Sequence, residues 1–253
     1  DEVGKRGAMS VAARAFPSDS SEPFEVPEQI RRIQAQTDWA AALPAHAGTW
    51  RWEVQQVIKR AADVVLAAGG LVVLAPLLAV IALLVRMTSP GPVLYEWRVL
   101  GRHARPFTGY KFRTMVAEAD ALKAHVMAHN EMSGVVFKMR DDPRVTRLGR
   151  WLRKYSIDEL PQLWSVLKGD MSLVGPRPPA PEEFVQFEPW QRLKLSVTPG
   201  ITCLWQVSGR SEIRELATWV RLDLQYIRTW SLWQDVKILF RTVPAVLRAR
   251  GAY

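Results

Sequence analysis

The chain has 253 residues, 48% of them hydrophobic, and a formal net charge of +9. That is enough for one sizeable domain with appendages, and the basic balance implies an anionic partner: nucleic acid, anionic lipid or a phosphorylated substrate. A single cysteine, Cys203, excludes an intrachain disulfide, and eleven tryptophans point towards a membrane interface.

Residues 1–48 are rich in Ala, Ser, Pro and Glu and show no apolar signal-peptide core near the start. They read as a mobile or partner-bound arm, in part expression-derived, with a short helix around Glu28–Ala42. Residues 49–88 form a membrane unit. It opens with an amphipathic interface helix, Trp50 to Arg60, with Trp50, Val54, Val57, Ile58 and Ala61 on one face. Val64 to Val85 then carries no charge and would reach roughly 30 Å as a helix, enough to cross a bilayer. Pro76 sits near its middle after Gly69-Gly70, and both flanks are basic, with Lys59 and Arg60 before and Arg86, Arg98, Arg102 and Arg105 after. A helix-break-helix that enters and leaves on one face satisfies both facts; a single kinked span is the alternative.

Residues 89–253 read as a small cytoplasmic α/β domain, so the whole is mainly α with a few short strands. Ser89-Pro90-Gly91-Pro92 is a turn; Val93–Arg98 and Phe107–Met115 are strands. Helices are predicted over 117–130, 145–155, 159–168, 181–195, 211–230 and 233–250, with Pro244 kinking the last, a basic amphipathic helix suited to a membrane surface. A turn and short strand occupy Ser196–Gln206. His125 and His129 have zinc-ligand spacing but no third ligand, so they read as a solvated helix face.

The chemistry concentrates at Arg153 to Leu163 and runs on to Pro178. Asp158 and Glu159 stand together where a helix should begin, with cations before them and a Gly175-Pro176-Arg177-Pro178 turn after. Ser156-x-x-Glu159 also matches a capping box, which by itself would explain Ser156 and Glu159 but not Asp158. With Asp158 as N-cap instead, Pro161 falls in the first turn, where it is tolerated. Either register puts both carboxylates at a helix N-terminus, which favours their anionic forms, and an ionised aspartate can attack phosphorus. Mg²⁺, held by Asp158 and Glu159 together with phosphate oxygens, would ease the repulsion between carboxylate and diphosphate. Lys111, Arg113, Arg153, Arg177 and Arg210 are the candidate phosphate-holding cations. Pro176, Pro178 and Asp223 complete the candidate substrate set.

From Lys59 to Tyr253 the chain resembles the bacterial sugar transferases, monotopic polyprenol-phosphate phosphoglycosyl transferases of the exopolysaccharide type. The matching stretches are Lys59-Arg60-Ala61-Ala62-Asp63, Tyr110-Lys111-Phe112-Arg113-Thr114-Met115, Asp158 to Leu163, Lys168 to Pro178, Pro199-Gly200-Ile201-Thr202 and Gln206 to Arg210. The resemblance implies that Asp158 attacks the β-phosphate of a UDP-sugar, with Glu159 completing the catalytic pair and Mg²⁺ as cofactor. Undecaprenyl phosphate then takes the sugar phosphate, starting a lipid-linked glycan. Glucose is the favoured hexose, with galactose or an N-acetylhexosamine as alternatives. The partners it implies are the UDP-sugar, undecaprenyl phosphate, bacterial membrane lipid and, optionally, a second copy of the chain; the place is the cytoplasmic face of the inner membrane. Nucleic acid is not expected, since no recognised motif for it is present. A non-catalytic basic membrane module is the remote alternative; it has no need of Asp158-Glu159. Two departures from the family are visible. Ala75-Pro76 stands where members often have Ser-Pro, and nothing before residue 50 matches the membrane bundle of the larger members, so a small member and a piece of a large one are both expected readings.

Overall fold

The computed structural model describes residues 26–119, 121–133, 135–209, 213 and 215–248. The described part is mainly helical with four short strands. Helix α1 spans Glu28–Gln36, followed by a 3₁₀ turn at Trp39–Ala42. Ile30, Ile33 and Ala42 are buried in the largest apolar cluster, together with Phe184, Leu195, Trp219 and Ile227. The short helix expected here therefore exists, but residues 28–42 are packed into the fold rather than standing off it as an arm. The i, i+3 spacing of the two isoleucines gives α1 its buried stripe.

Helix α2, Trp50–Thr88, is one 39-residue element. Thr49 caps it, its side chain accepting from the Trp52 N–H. Two helices separated by a break at Pro76 were expected, yet helical backbone continues through the proline. The reason lies in the packing stripe. Trp52, Asp63, Ala67, Ile81 and Val85 are buried on one side, at helical spacing on both sides of Pro76. Val65, Leu66, Val72, Val73, Val80 and Leu83 are exposed on the other. The packed side contacts the rest of the fold along the whole length. Trp52 meets Trp230 edge-on at 4.9 Å, Ala67 joins Val99, Phe107, Leu163 and Val166, and Ile81 and Val85 join Phe112 and Leu152.

The Lys59-to-Asp63 motif fastens this helix. Lys59 Nζ donates to Asp235 Oδ2 at 2.6 Å and to the Val174 carbonyl at 3.0 Å. Arg60 donates to the Val166 and Leu167 carbonyls at 2.6 and 2.8 Å, satisfying carbonyls near a helix C-terminus. Asp63 Oδ1 accepts from the Leu173 N–H at 3.1 Å.

Strands β1 (Leu94–Leu100) and β2 (Pro106–Phe112) form an antiparallel hairpin in which Trp97 faces Gly109 and Tyr95 faces Lys111. The predicted helix over 117–130 is reduced to α3, Lys123–Val126, and a 3₁₀ turn at Met127–His129. Helix α4 (Arg147–Lys154) presses Gly149 onto the Thr114 carbonyl, where a Cβ would lie 2.0 Å from the oxygen. A 3₁₀ turn, Ile157–Gln162, leads into α5, Leu163–Lys168.

Strand β3 (Ser172–Val174) pairs in parallel with the later β4 (Gly200–Thr202). Added Cβ atoms at Gly175 and Gly200 would meet opposing backbone at 2.5 and 2.0 Å, so the two motifs carrying these glycines are mutually dependent. The predicted helix over 181–195 is broken into α6 (Pro181–Val185), α7 (Pro189–Arg192) and a 3₁₀ turn. Pro189 opens a new helix at its N1 position, which explains the interruption. After β4 come α8 (Leu204–Val207), α9 (Leu216–Arg228) and α10 (Leu232–Leu247), the last running through Pro244.

Candidate active site

Asp158 and Glu159 lie in the 3₁₀ turn between α4 and α5, packed against β2. The expected capping box does not form. Ser156 is left-handed, with φ 53°, and its side chain makes no cap hydrogen bond. A left-handed serine costs on the order of 1–3 kcal/mol and turns the chain sharply out of α4. The carboxylates are thus presented by a strained turn, and the helix-dipole argument for their ionisation does not apply to so short an element.

Asp158 is 9% exposed. Burial, and after it the adjacent Glu159 charge, raise its pKa from the ordinary 3.8 to about 6, against the pull of Lys111 and Arg153. It therefore stays mostly ionised at neutral pH, held there by nearby cations. Glu159 is the more open of the two, and its Oε1 accepts from Lys111 Nζ at 2.8 Å. Arg153 is fixed by donation from Nε to Thr114 Oγ1 at 2.9 Å.

Two contributors escaped the sequence reading. Trp97 lies under both Lys111 Nζ, 4.1 Å from its ring centroid, and the Arg177 guanidinium, at 5.7 Å. It gathers two cations, of which Lys111 pairs with Glu159. Thr114 orients Arg153. The signal for Trp97 was available: it faces Gly109 across the hairpin, so Lys111 is its diagonal neighbour on the same face.

The structure thus brings Lys111 and Arg153 towards Asp158 and Glu159, while Arg177 lies over Trp97. Pro176 and Pro178 are buried and shape the turn; the Pro176 carbonyl accepts from the Gly200 N–H at 3.0 Å. Two expectations are corrected. Arg113 is buried and donates to the Ser89 carbonyl and hydroxyl at 2.7 and 2.9 Å, tying down the exit of α2 instead of facing the carboxylates. Asp223 is 1% exposed and paired with Lys194 at 2.7 Å, on the buried side of α9 and within the field of Arg177 rather than beside the carboxylate pair. Its pKa is raised, by burial first. Arg210 lies outside the described residues, and Pro76 is exposed on α2.

Two cavities adjoin the fold. One of about 700 Å³, lined by Trp190, Arg221 and Arg228 among others, includes none of the candidate catalytic residues. A second of about 180 Å³ opens beside Glu159, between the catalytic turn, β4 and α10. Among the described residues no three His, Cys, Asp or Glu side chains gather as a metal site. A carboxylate pair still fits Mg²⁺, which is commonly held by one or two carboxylates plus substrate phosphates. The repulsion that helps to raise Asp158 is what a divalent cation relieves.

A family model described as bacterial sugar transferase matches residues 54–249. The chain is 49% identical over 162 residues to the galactosyl transferase CpsE of Streptococcus agalactiae, covering 64% of this chain and 36% of that protein. It is 41% identical over 207 residues to the UDP-glucose:undecaprenyl-phosphate glucose-1-phosphate transferase of Escherichia coli, covering 79% and 42%. It is 39% identical over 215 residues to the exopolysaccharide production protein ExoY of Rhizobium meliloti, covering 83% and 94%. The chain therefore spans less than half of the first two relatives and nearly all of the third.

Proposed function

The chain belongs to the bacterial sugar transferase family, and from that membership and the Asp158 geometry we propose that it transfers a hexose 1-phosphate from a UDP-hexose to undecaprenyl phosphate. A carboxylate oxygen of Asp158 attacks the β-phosphorus. The bond from that phosphorus to the bridging oxygen breaks, and the electron pair leaves with UMP. A phosphate oxygen of undecaprenyl phosphate then attacks the same phosphorus, the Asp158–phosphorus bond breaks, and the carboxylate is regenerated. Lys111, Arg153 and Arg177 balance the diphosphate charge, while Trp97 holds two of them in place. Asp158 and Glu159 would hold Mg²⁺, which when bound neutralises charge on the diphosphate.

The observation that carries this reading is a buried carboxylate, Asp158, set beside a second carboxylate and facing the charges of Lys111 and Arg153. The test is UMP release from a panel of UDP-sugars with undecaprenyl phosphate; no release with any donor would refute it. Glucose is the donor we favour. Galactose is the second reading, favoured by the relative named as a galactosyl transferase.

We place the domain on the cytoplasmic face of a bacterial inner membrane, with both ends of α2 on that side. The support is that Trp52 and Val85, near opposite ends of α2, both pack onto the same fold. A spanning helix would carry one end away from it. Accessibility tags before Trp50 and after Pro92 should both report cytoplasm; opposite sides would refute the placement.

A further inference from the structure

The cavity of about 180 Å³ beside Glu159 has no part in the donor chemistry described above. Its apolar walls are Leu160 and Leu163 from the catalytic turn and α5, Ile201 from β4, Val207 from α8, and Ala245 and Val246 from α10; Glu159, Ser156, Thr202, Gln206 and Thr242 add polar edges. No Lys or Arg is among the described residues that line it. A nucleoside diphosphate needs cations, and those lie over Trp97 and at Thr114 instead. The volume is also below the roughly 300–1,000 Å³ usual for pockets that enclose a drug-sized ligand, so it suits a short apolar piece of a larger molecule.

Its surroundings lead towards lipid. On the outer side of α10, Phe240, Val243 and Leu247 are 74%, 59% and 71% exposed. On the inner side Thr242 fixes α10 to β4 through a 2.8 Å hydroxyl contact with Thr202. On the opposite wall, Leu163 Cδ1 sits against Gly70 of α2, 3.3 Å from where a Cβ would be. The cavity is therefore walled on one side by α10, whose outer face is apolar and exposed, and on the other by Leu163, which rests on α2; one catalytic carboxylate stands at its edge.

We propose that this cavity receives the phosphate-proximal isoprenoid carbons of the lipid-linked acceptor, so that its phosphate is delivered to the Asp158–Glu159 turn at the Glu159 edge. The proposal rests on the transferase reading and adds to it the place and direction of acceptor entry.

The test uses the full chain in detergent. Ala245→Phe fills the cavity from its α10 wall. The KM for undecaprenyl phosphate should rise at least tenfold, with the KM for the UDP-sugar within twofold of wild type. Independently of any variant, a diazirine-bearing isoprenyl phosphate should label Leu160, Ile201 or Val246 of the wild-type chain, and excess undecaprenyl phosphate should compete. A selective rise in the donor KM, or unchanged acceptor KM in a folded variant, would overturn the assignment. So would labelling confined to α2, or labelling that phospholipid suppresses as well as the acceptor does. Absence of turnover by the wild type with every UDP-sugar would instead refute the underlying transferase reading.

Discussion

Asp158→Asn should stabilise the protein while removing its activity. The carboxyl pKa is raised from 3.8 to about 6 in the folded state, chiefly by burial and then by the charge of Glu159. Between those values the folded chain binds more protons than the unfolded chain, so stability falls as pH rises. Above about pH 7 the cost is complete: roughly two pKa units, or about 3 kcal/mol. Below about pH 4 it has vanished. Asparagine has nearly the same shape and carries no charge, so the variant should gain most of that energy at pH 8 and almost none at pH 4. For a chain of this size, 1 kcal/mol moves Tm by about 2–4 °C, which predicts a gain of roughly 6–12 °C at pH 8. Tryptophan-fluorescence melting of both proteins in detergent at the two pH values is the assay. An equal or lower Tm for the variant at pH 8, or a difference independent of pH, would refute the reasoning.

The same group sets the pH dependence of turnover. Since the attacking form is the carboxylate, kcat/KM should fall about tenfold per unit below pH 6 and level off above pH 7; an activity that rises on acidification would contradict this. Stripping divalent metal should abolish UMP release and adding Mg²⁺ should restore it, whereas full activity in excess chelator would exclude a metal role. Trp97→Ala removes the ring under Lys111 and Arg177 and should raise the UDP-sugar KM by about 2–30-fold, the equivalent of roughly 0.5–2 kcal/mol. Arg147→Gln, at an exposed position, should stay within about twofold of wild type; equal damage at Arg147 would erase the distinction between site and surface cations.

What could be read ahead of the structure was largely what is local in sequence. Asp158 and Glu159 stand out as adjacent carboxylates between basic and proline-rich stretches, and in the fold they lie together with Lys111 paired to Glu159. The β1–β2 hairpin and α9–α10 follow from alternation and helical periodicity. The errors have physical causes. Lys111 and Arg113 are two residues apart and would share a face in a longer strand, but β2 ends at Phe112, so Arg113 turns away to Ser89. Asp223 falls on the same helical face as the buried Leu216, Trp219, Val220 and Ile227, a pattern that marks it as a core residue paired with Lys194. Pro76 was expected to split α2, but the packing stripe is continuous on both sides of it. Trp97 and Thr114 needed the hairpin register and the docking of α4, which spacing alone does not supply. The Lys59-to-Asp63 motif was legible as a motif, but its work in clamping α2 onto α5, β3 and α10 depends on partners more than 100 residues away.

The central claim is that Asp158 carries the sugar phosphate between donor and acceptor. Intact-protein mass spectrometry of the wild-type chain, incubated with UDP-glucose and Mg²⁺ but no acceptor, tests it most directly. The account predicts a mass gain of one hexose phosphate, mapped to the peptide containing Asp158, absent from Asp158→Asn and discharged by undecaprenyl phosphate. An adduct on another residue, or acceptor-dependent turnover in which neither an adduct nor acceptor-free UMP release ever occurs, would contradict it.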